Sequence, residues 1–204
     1  MDKIAKILLE LKAVSLNTKE GFLYTSGRKG PIYCDNRLIL SNPEERKKIV
    51  NVFAKIIKKC DYDVIAGVAT AGVPWATLVA EKLKKPLIYV RSAAKEHGKN
   101  NKIEGRVETG KRVIVMEDLI NTGGSSVDAC NALKEAGMTV VACIAIFDYG
   151  LADTKQKFEQ TGVPLLALSD FKKLLKTAMK LKYITDEDKT ILLQLQKNSA
   201  DWQP

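Results

Sequence analysis

Two adjacent carboxylates, Glu117 and Asp118, are followed after two apolar residues by the small polar string Asn121-Thr122-Gly123-Gly124-Ser125-Ser126. Carboxylates accept hydrogen bonds from sugar hydroxyls and attract hard cations such as Mg²⁺. Glycines let the backbone approach an anion, and amides at the start of a following helix point their N–H groups at it. The chemistry this spacing suits is therefore a phosphate held in the loop, with a sugar or metal held by the acids beside it. No Gly-Lys-Ser or Gly-Lys-Thr follows, so the loop is not a Walker loop, and GxGxxG is absent.

Such residues need a scaffold that delivers them to one edge. Val113-Ile114-Val115-Met116 is an apolar, β-rich run of the kind that fills a buried parallel strand, and it places Glu117 and Asp118 at its carboxyl end. A helical pattern follows through Val127, Ala129, Leu133 and Ala136. In open α/β sheets ligands sit beyond the carboxyl ends of strands, which is where this loop falls. The rest of the chain repeats that alternation. Buried strands are predicted at 64–68, 86–91, 139–147 and 163–168, with Asp148-Tyr149-Gly150 closing the third of these. Helices are predicted over 3–14, from Ser41-Asn42-Pro43 onward, over 77–83 and 154–161, after Ser169-Asp170, and after a Thr185 cap. Residues 21–37 read as two short strands around a Ser-Gly turn. Strands alternating with helices predict an α/β fold, a parallel sheet flanked by helices on both faces.

One segment breaks the rhythm. Ser92 to Gly110 has no apolar period and carries Lys95, His97, Lys99 and Lys102, His97 being the sole histidine. A loop of that length inside a compact domain is usually functional or disordered. The tail from Ser199 to Pro204 is expected to fray.

Composition narrows the classes. The 204 residues, 46% apolar and 28% charged, fit one ordinary globular domain. No apolar run is long enough to cross a bilayer, and the N-terminus alternates charges with apolar residues, unlike a signal peptide. Cys34, Cys60, Cys130 and Cys143 are scattered without a CxxC pair, which points to reduced thiols and a cytoplasmic protein. A net charge of +9 spread over nearly every helix, with 6% aromatics, suits a solvated basic surface that attracts small anions better than a nucleic-acid groove.

Four segments, FLYTSGRKGPIYCDNRL, GVATAGVP, YVRSAAKEHGKNNKIEGRVETGKRV and VIVMEDLINTGGSS, occur in an order and spacing that resembles orotate phosphoribosyltransferases, within the type I phosphoribosyltransferases. The resemblance covers most of residues 20–150. It implies one phosphoribosyltransferase domain over 1–204, with a small N-terminal helix and hood segment over about 1–40. It also implies transfer of ribose 5-phosphate from phosphoribosyl pyrophosphate (PRPP) to orotate, a Mg²⁺ requirement, and a homodimer whose loops reach into each other's sites. By resemblance, Arg91, Lys95 and His97 would grip the pyrophosphate, with Lys95 and His97 catalytic. Glu117 and Asp118 would hold the ribose hydroxyls, directly or through Mg²⁺. Thr122, Gly123, Gly124, Ser125 and Ser126 would bind the 5′-phosphate. Orotate would rest against Ser26, Gly27, Arg28 and Tyr33, with Asn121 at its edge.

The chain departs from many family members where Thr25 stands in place of a lysine, and from some where Ala71 and Ser92 stand in place of lysines and Tyr149 in place of an arginine. Two other functions stay open on these residues. One is transfer to a different base, such as a purine, against which the Ser-Gly-Arg-Lys segment argues. The other is a non-catalytic PRPP-sensing regulator that binds nucleic acid, which would not need the Lys-Glu-His loop and for which no helix-turn-helix or basic-aromatic pattern is evident.

Overall fold

The computed structural model describes residues 1–24, 27, 29–92 and 102–197. Helix α1 (Lys3–Glu10) starts at an Asp2 cap whose carboxylate accepts from the Ala5 amide. It stops four residues short of the predicted end, since Lys12 takes a left-handed φ of 53° and the chain turns into strand β1 (Val14–Leu16). Val14 is thus a strand residue opposite Cys34, not the last turn of the helix.

The hood follows as short antiparallel pieces. Strands β2 (Phe22–Leu23) and β3 (Lys29–Gly30) pair around the turn at Gly27, whose φ of 79° suits glycine. Strand β4 (Ile32–Cys34) then pairs with β1. Tyr24 braces the hairpin. Its hydroxyl donates to the Ile32 carbonyl at 2.5 Å, and its ring fills the space beside Gly30 that a Cβ would need. A 3₁₀ turn (Asn36–Ser41) leads to helix α2 (Pro43–Ile57), capped by Asn42 with Pro43 at its start as the sequence predicts.

The main sheet is built from β5 (Val64–Val68), β6 (Leu87–Val90), β7 (Ile103–Glu104), β8 (Arg112–Ile120), β9 (Thr139–Asp148) and β10 (Leu165–Asp170). Helices α3 (Gly72–Leu83), α4 (Gly124–Glu135) and α5 (Ala152–Thr161) connect strands, and α6 (Phe171–Lys180) and α7 (Asp186–Lys197) close the chain. The strand order is β10-β9-β8-β5-β6-β7, parallel except for the β6–β7 pair. The sheet is thus mostly parallel, as predicted, with one antiparallel edge. Ile103 is buried against Val90's neighbours, so the segment 92–110 is not structureless throughout. Helix α3 likewise starts at Gly72, five residues earlier than predicted.

Period-two alternation divides the core between the two faces. Ile65, Ile114, Met116, Ile144 and Ile146 meet α1, α2, α3, α6 and α7, around a wholly buried Trp75. Val64, Ala66, Val113, Val115 and Ala145 meet α4 and α5. Helices thus cover both faces, as the alternation predicts. The α1 helix packs on α6 and β10, so it belongs to this body and the hood is formed by β1 to β4.

The close approach of α3 to the sheet depends on Gly72. A Cβ there would stand 2.5 Å from the Met116 carbonyl oxygen and 3.2 Å from Glu117 Cα, both backbone atoms that cannot swing aside. Gly72→Ala is expected to lower unfolding free energy by about 1–3 kcal/mol, the usual range for overpacking. Urea unfolding of the variant against the parent checks it; an unchanged midpoint would mean that α3 shifts freely.

Candidate active site

Strand β8 runs on to Ile120, so Glu117 and Asp118 lie within its carboxyl-terminal end. Alternation then parts them. Glu117 shares the α4 face with Val113 and Val115, and Asp118 takes the opposite face toward the hood. Glu117 is 5% exposed. Its Oε1 accepts from the Asp118 amide at 3.0 Å, and its Oε2 accepts from the Ser126 hydroxyl at 3.4 Å. Neither acid makes an ion pair with a described residue. Burial, reinforced by the neighbouring Asp118, pushes the Glu117 carboxyl up to about 9. Burial also raises Asp118, against the pull of hydrogen bonds and of Arg37. The site as it stands thus calls for a cation or hydroxyl donors.

The loop after β8 is shaped for an anion. Asn121, Thr122 and Ser125 are exposed. Gly123, at φ 73°, caps α4 and offers it no side-chain acceptor. A Cβ on Gly124 would meet nothing within 4 Å, so that backbone borders open space where a ligand can come close. The Ser126 hydroxyl is buried and turned to Glu117.

On the hood side Tyr33 is exposed and tilts against Phe22 at 5.9 Å between ring centroids. Tyr149 stands edge-on to Phe147 and stacked with Phe171, and burial beside Cys34, Tyr24 and Tyr33 raises its phenol. Arg91 begins the long loop; its amide donates to the Lys102 carbonyl and its guanidinium pairs with Glu104 at 3.6 Å across the β6–β7 edge. Thr25, Ser26 and Arg28, together with Lys95, His97 and the C-terminal tail, lie outside the described residues.

Asn36 is a site residue that sequence reasoning missed. Fully buried, it donates from Nδ2 to the Asp118 carbonyl at 2.7 Å, and its Oδ1 accepts from the Cys34 thiol at 3.5 Å. It ties the hood to the acidic pair. An asparagine between Asp35 and Arg37 reads as surface, so only the tertiary contact reveals it. A separate cavity of about 520 Å³ lies between α5 and β10, lined largely by Leu151, Phe158, Val163, Pro164 and Leu165. Its apolar walls do not suit a phosphorylated sugar. Among the described residues no three acids, histidines or cysteines gather to cage a metal. The two β8 acids alone fit a Mg²⁺ that takes most of its ligands from water and substrate oxygens.

The family model for the phosphoribosyl transferase domain matches residues 37–164. An orotate phosphoribosyltransferase of Coxiella burnetii is 48% identical over 204 residues, 99% of this chain and 98% of its own length. One from Listeria monocytogenes is 48% identical over 202 residues, 98% of this chain and 97% of its own. Among solved structures, the orotate phosphoribosyltransferase of Aeropyrum pernix superposes with a TM-score of 0.76 at 30% identity, covering 89% of this chain and 99% of that one.

The raised Glu117 carboxyl has a consequence for stability. At low pH the folded and unfolded chains both hold the proton. As pH rises from the ordinary glutamate range toward about 9, the unfolded chain loses its proton while the folded chain keeps it, so stability falls across that window. Glu117→Gln, which removes the titration, is expected to stabilise the ligand-free protein by about 1–3 kcal/mol at pH 8 and by much less at pH 4. Urea unfolding at the two pH values tests this, and an equal offset at both would remove the carboxyl as the cause.

Proposed function

Because the chain belongs to the orotate phosphoribosyltransferase family, we infer that it transfers the ribose 5-phosphate of PRPP to orotate. The products are orotidine 5′-monophosphate and pyrophosphate, a step of pyrimidine biosynthesis. The observation that carries this reading is near-full-length identity of 48% to enzymes of that activity. It is supported by an acidic pair and an open glycine loop at the carboxyl end of one central strand.

The reaction forms a bond from ribose C1 to a ring nitrogen of orotate and breaks the C1–oxygen bond to pyrophosphate. Positive charge grows on the ring while negative charge grows on the leaving group. Glu117 and Asp118 sit where they can accept from the ribose hydroxyls and tolerate the ring's charge. The amides of Thr122, Gly123, Gly124 and Ser125 and the hydroxyls of Thr122 and Ser125 hold the 5′-phosphate at the start of α4. Ser126 acts one step behind, fixing Glu117. Arg91, Lys95 and His97 are proposed to meet the pyrophosphate, which pulls electrons away from C1 and would shed water from the site as they close on it. Orotate is proposed to lie between Tyr33 and Asn121, with Gly27 and the flanking Ser26 and Arg28 at its edge. Mg²⁺ bound at Glu117 and Asp118 would neutralise part of the phosphate charge.

A homodimer that shares its sites through the Lys95 loop is also proposed, resting on the family resemblance. A cytoplasmic setting rests on the scattered cysteines, and no helix among the described residues is long and apolar enough to cross a membrane.

Orotate-dependent consumption of PRPP tests the central reading, with adenine and hypoxanthine in parallel; turnover with a purine and none with orotate would overturn it. Replacing both Glu117 by Gln and Asp118 by Asn is expected to lower kcat by about 10²–10³ or more. A double variant as active as the parent would take the acids out of the reaction. Mixing Lys95→Ala protein with Asp118→Asn protein is expected to recover part of the activity through hybrid dimers. Hybrids that form yet stay as inactive as their parents would place each loop in its own subunit.

A further inference from the structure

The loop that receives the phosphate is held from behind by side chains of one helix. Thr154, in the first turn of α5, is 1% exposed. Its hydroxyl donates to the Asn121 carbonyl at 2.6 Å. One turn on, the Lys157 ammonium donates to the Thr122 carbonyl at 3.0 Å. Phe158 lies beneath; a Cβ on Gly123 would meet Thr154 Cγ2 at 2.9 Å and Phe158 Cε2 at 3.3 Å. Glycine at 123 therefore lets the loop press directly onto this surface.

These two bonds determine where the loop amides point. In a trans peptide the carbonyl and the following N–H face opposite ways. Pinning the Asn121 carbonyl to α5 turns the Thr122 N–H away from α5, toward the open side. Pinning the Thr122 carbonyl does the same for the Gly123 N–H. Both join the amides of Gly124 and Ser125 at the start of α4, and none of the four donates to an acceptor among the described residues. Successive amides facing one way make an anion-binding concavity.

We propose that Thr154 is a positioning residue for phosphate binding, its hydroxyl holding the Asn121–Gly123 backbone so that consecutive amides converge on the 5′-phosphate, with Lys157 supporting it. Thr154 touches no substrate; it acts through the loop. The inference rests on the reading of this loop as the 5′-phosphate site.

The ligands of the reaction separate the inference from general damage to the fold. PRPP and orotidine 5′-monophosphate carry the 5′-phosphate, whereas orotate and pyrophosphate do not. Thr154→Val keeps the shape and removes the donor; Thr154→Ser keeps the donor. By calorimetry on the full chain, Thr154→Val is expected to weaken PRPP and orotidine 5′-monophosphate by about tenfold, the scale of one lost hydrogen bond. Orotate and pyrophosphate should bind as before, Thr154→Ser should restore the affinity, and in turnover KM for PRPP should rise with kcat changing little. If Thr154→Val fails to fold, Lys157→Met, at an exposed position, should weaken the same two ligands by about two- to threefold with the other two unchanged. Equal affinities in variant and parent, equal loss of all four ligands, or a serine variant as weak as the valine would each overturn the positioning role. A parent protein that binds neither PRPP nor orotidine 5′-monophosphate would instead overturn the reading of the loop on which it rests.

Discussion

The constraint that shapes this protein is a pair of adjacent acids near the end of a buried strand. Glu117 and Asp118 are withdrawn from water without an ion-pair partner among the described residues, and both carboxyls are raised in consequence. Taking a carboxylate out of water is costly, and the usual remedies are a paired cation, hydrogen bonds or a proton. Here the protein supplies a few donors, the Asp118 amide, the Ser126 hydroxyl and the pull of Arg37, and leaves the remainder unmet. The sugar hydroxyls and the Mg²⁺ proposed above would complement it. The ligand-free site is poorer in stability so that the occupied site can be richer in contacts.

The strand's pleat then dictates what must surround the pair. Neighbouring residues of a strand face opposite sides of the sheet. Glu117 is accordingly served by α4 through Ser126, and Asp118 by the hood, where Asn36 grips its carbonyl. A hood on one side and a glycine loop on the other are thus two halves of one requirement. Gly72 completes the enclosure by letting the start of α3 approach the same strand to within backbone contact.

Much of this could be read before any coordinates. The strand, glycine loop and helix around residue 120 are local, and each local preference agrees with the fold, so pattern alone placed them. What escaped was set by distant parts of the chain. Val14 looks helical by spacing, but its partner Cys34 draws it into a strand. Ile103 is one apolar residue in a charged stretch, too short a signal for periodicity, and becomes a strand only because β6 offers an open edge. Glu117 and Asp118 fall near the carboxyl end of the strand as read, but the strand runs two residues further, to Ile120. The strand continues through them because β9 runs alongside as far as Asp148. Asn36 and Thr154 carry no sequence signal, since a single buried hydrogen bond to a backbone carbonyl has no period or motif.

The two ends of β8 show how the sheet divides its labour. At its start Arg112 forms a fork with Asp63, at 2.9 and 3.1 Å, and also reaches Asp61. Those charges are half in water and mutually satisfied, and they register β8 against the end of the loop before β5 without needing a ligand. At its other end the charges are of one sign, buried and unmatched. Exchanging the two arrangements would gain nothing for the fold: a guanidinium beside Glu117 would settle the acid at the cost of the space and field that a sugar phosphate must use. Charge satisfied at the amino end of β8 and withheld at its carboxyl end is what lets a stable strand keep one end in need of a substrate.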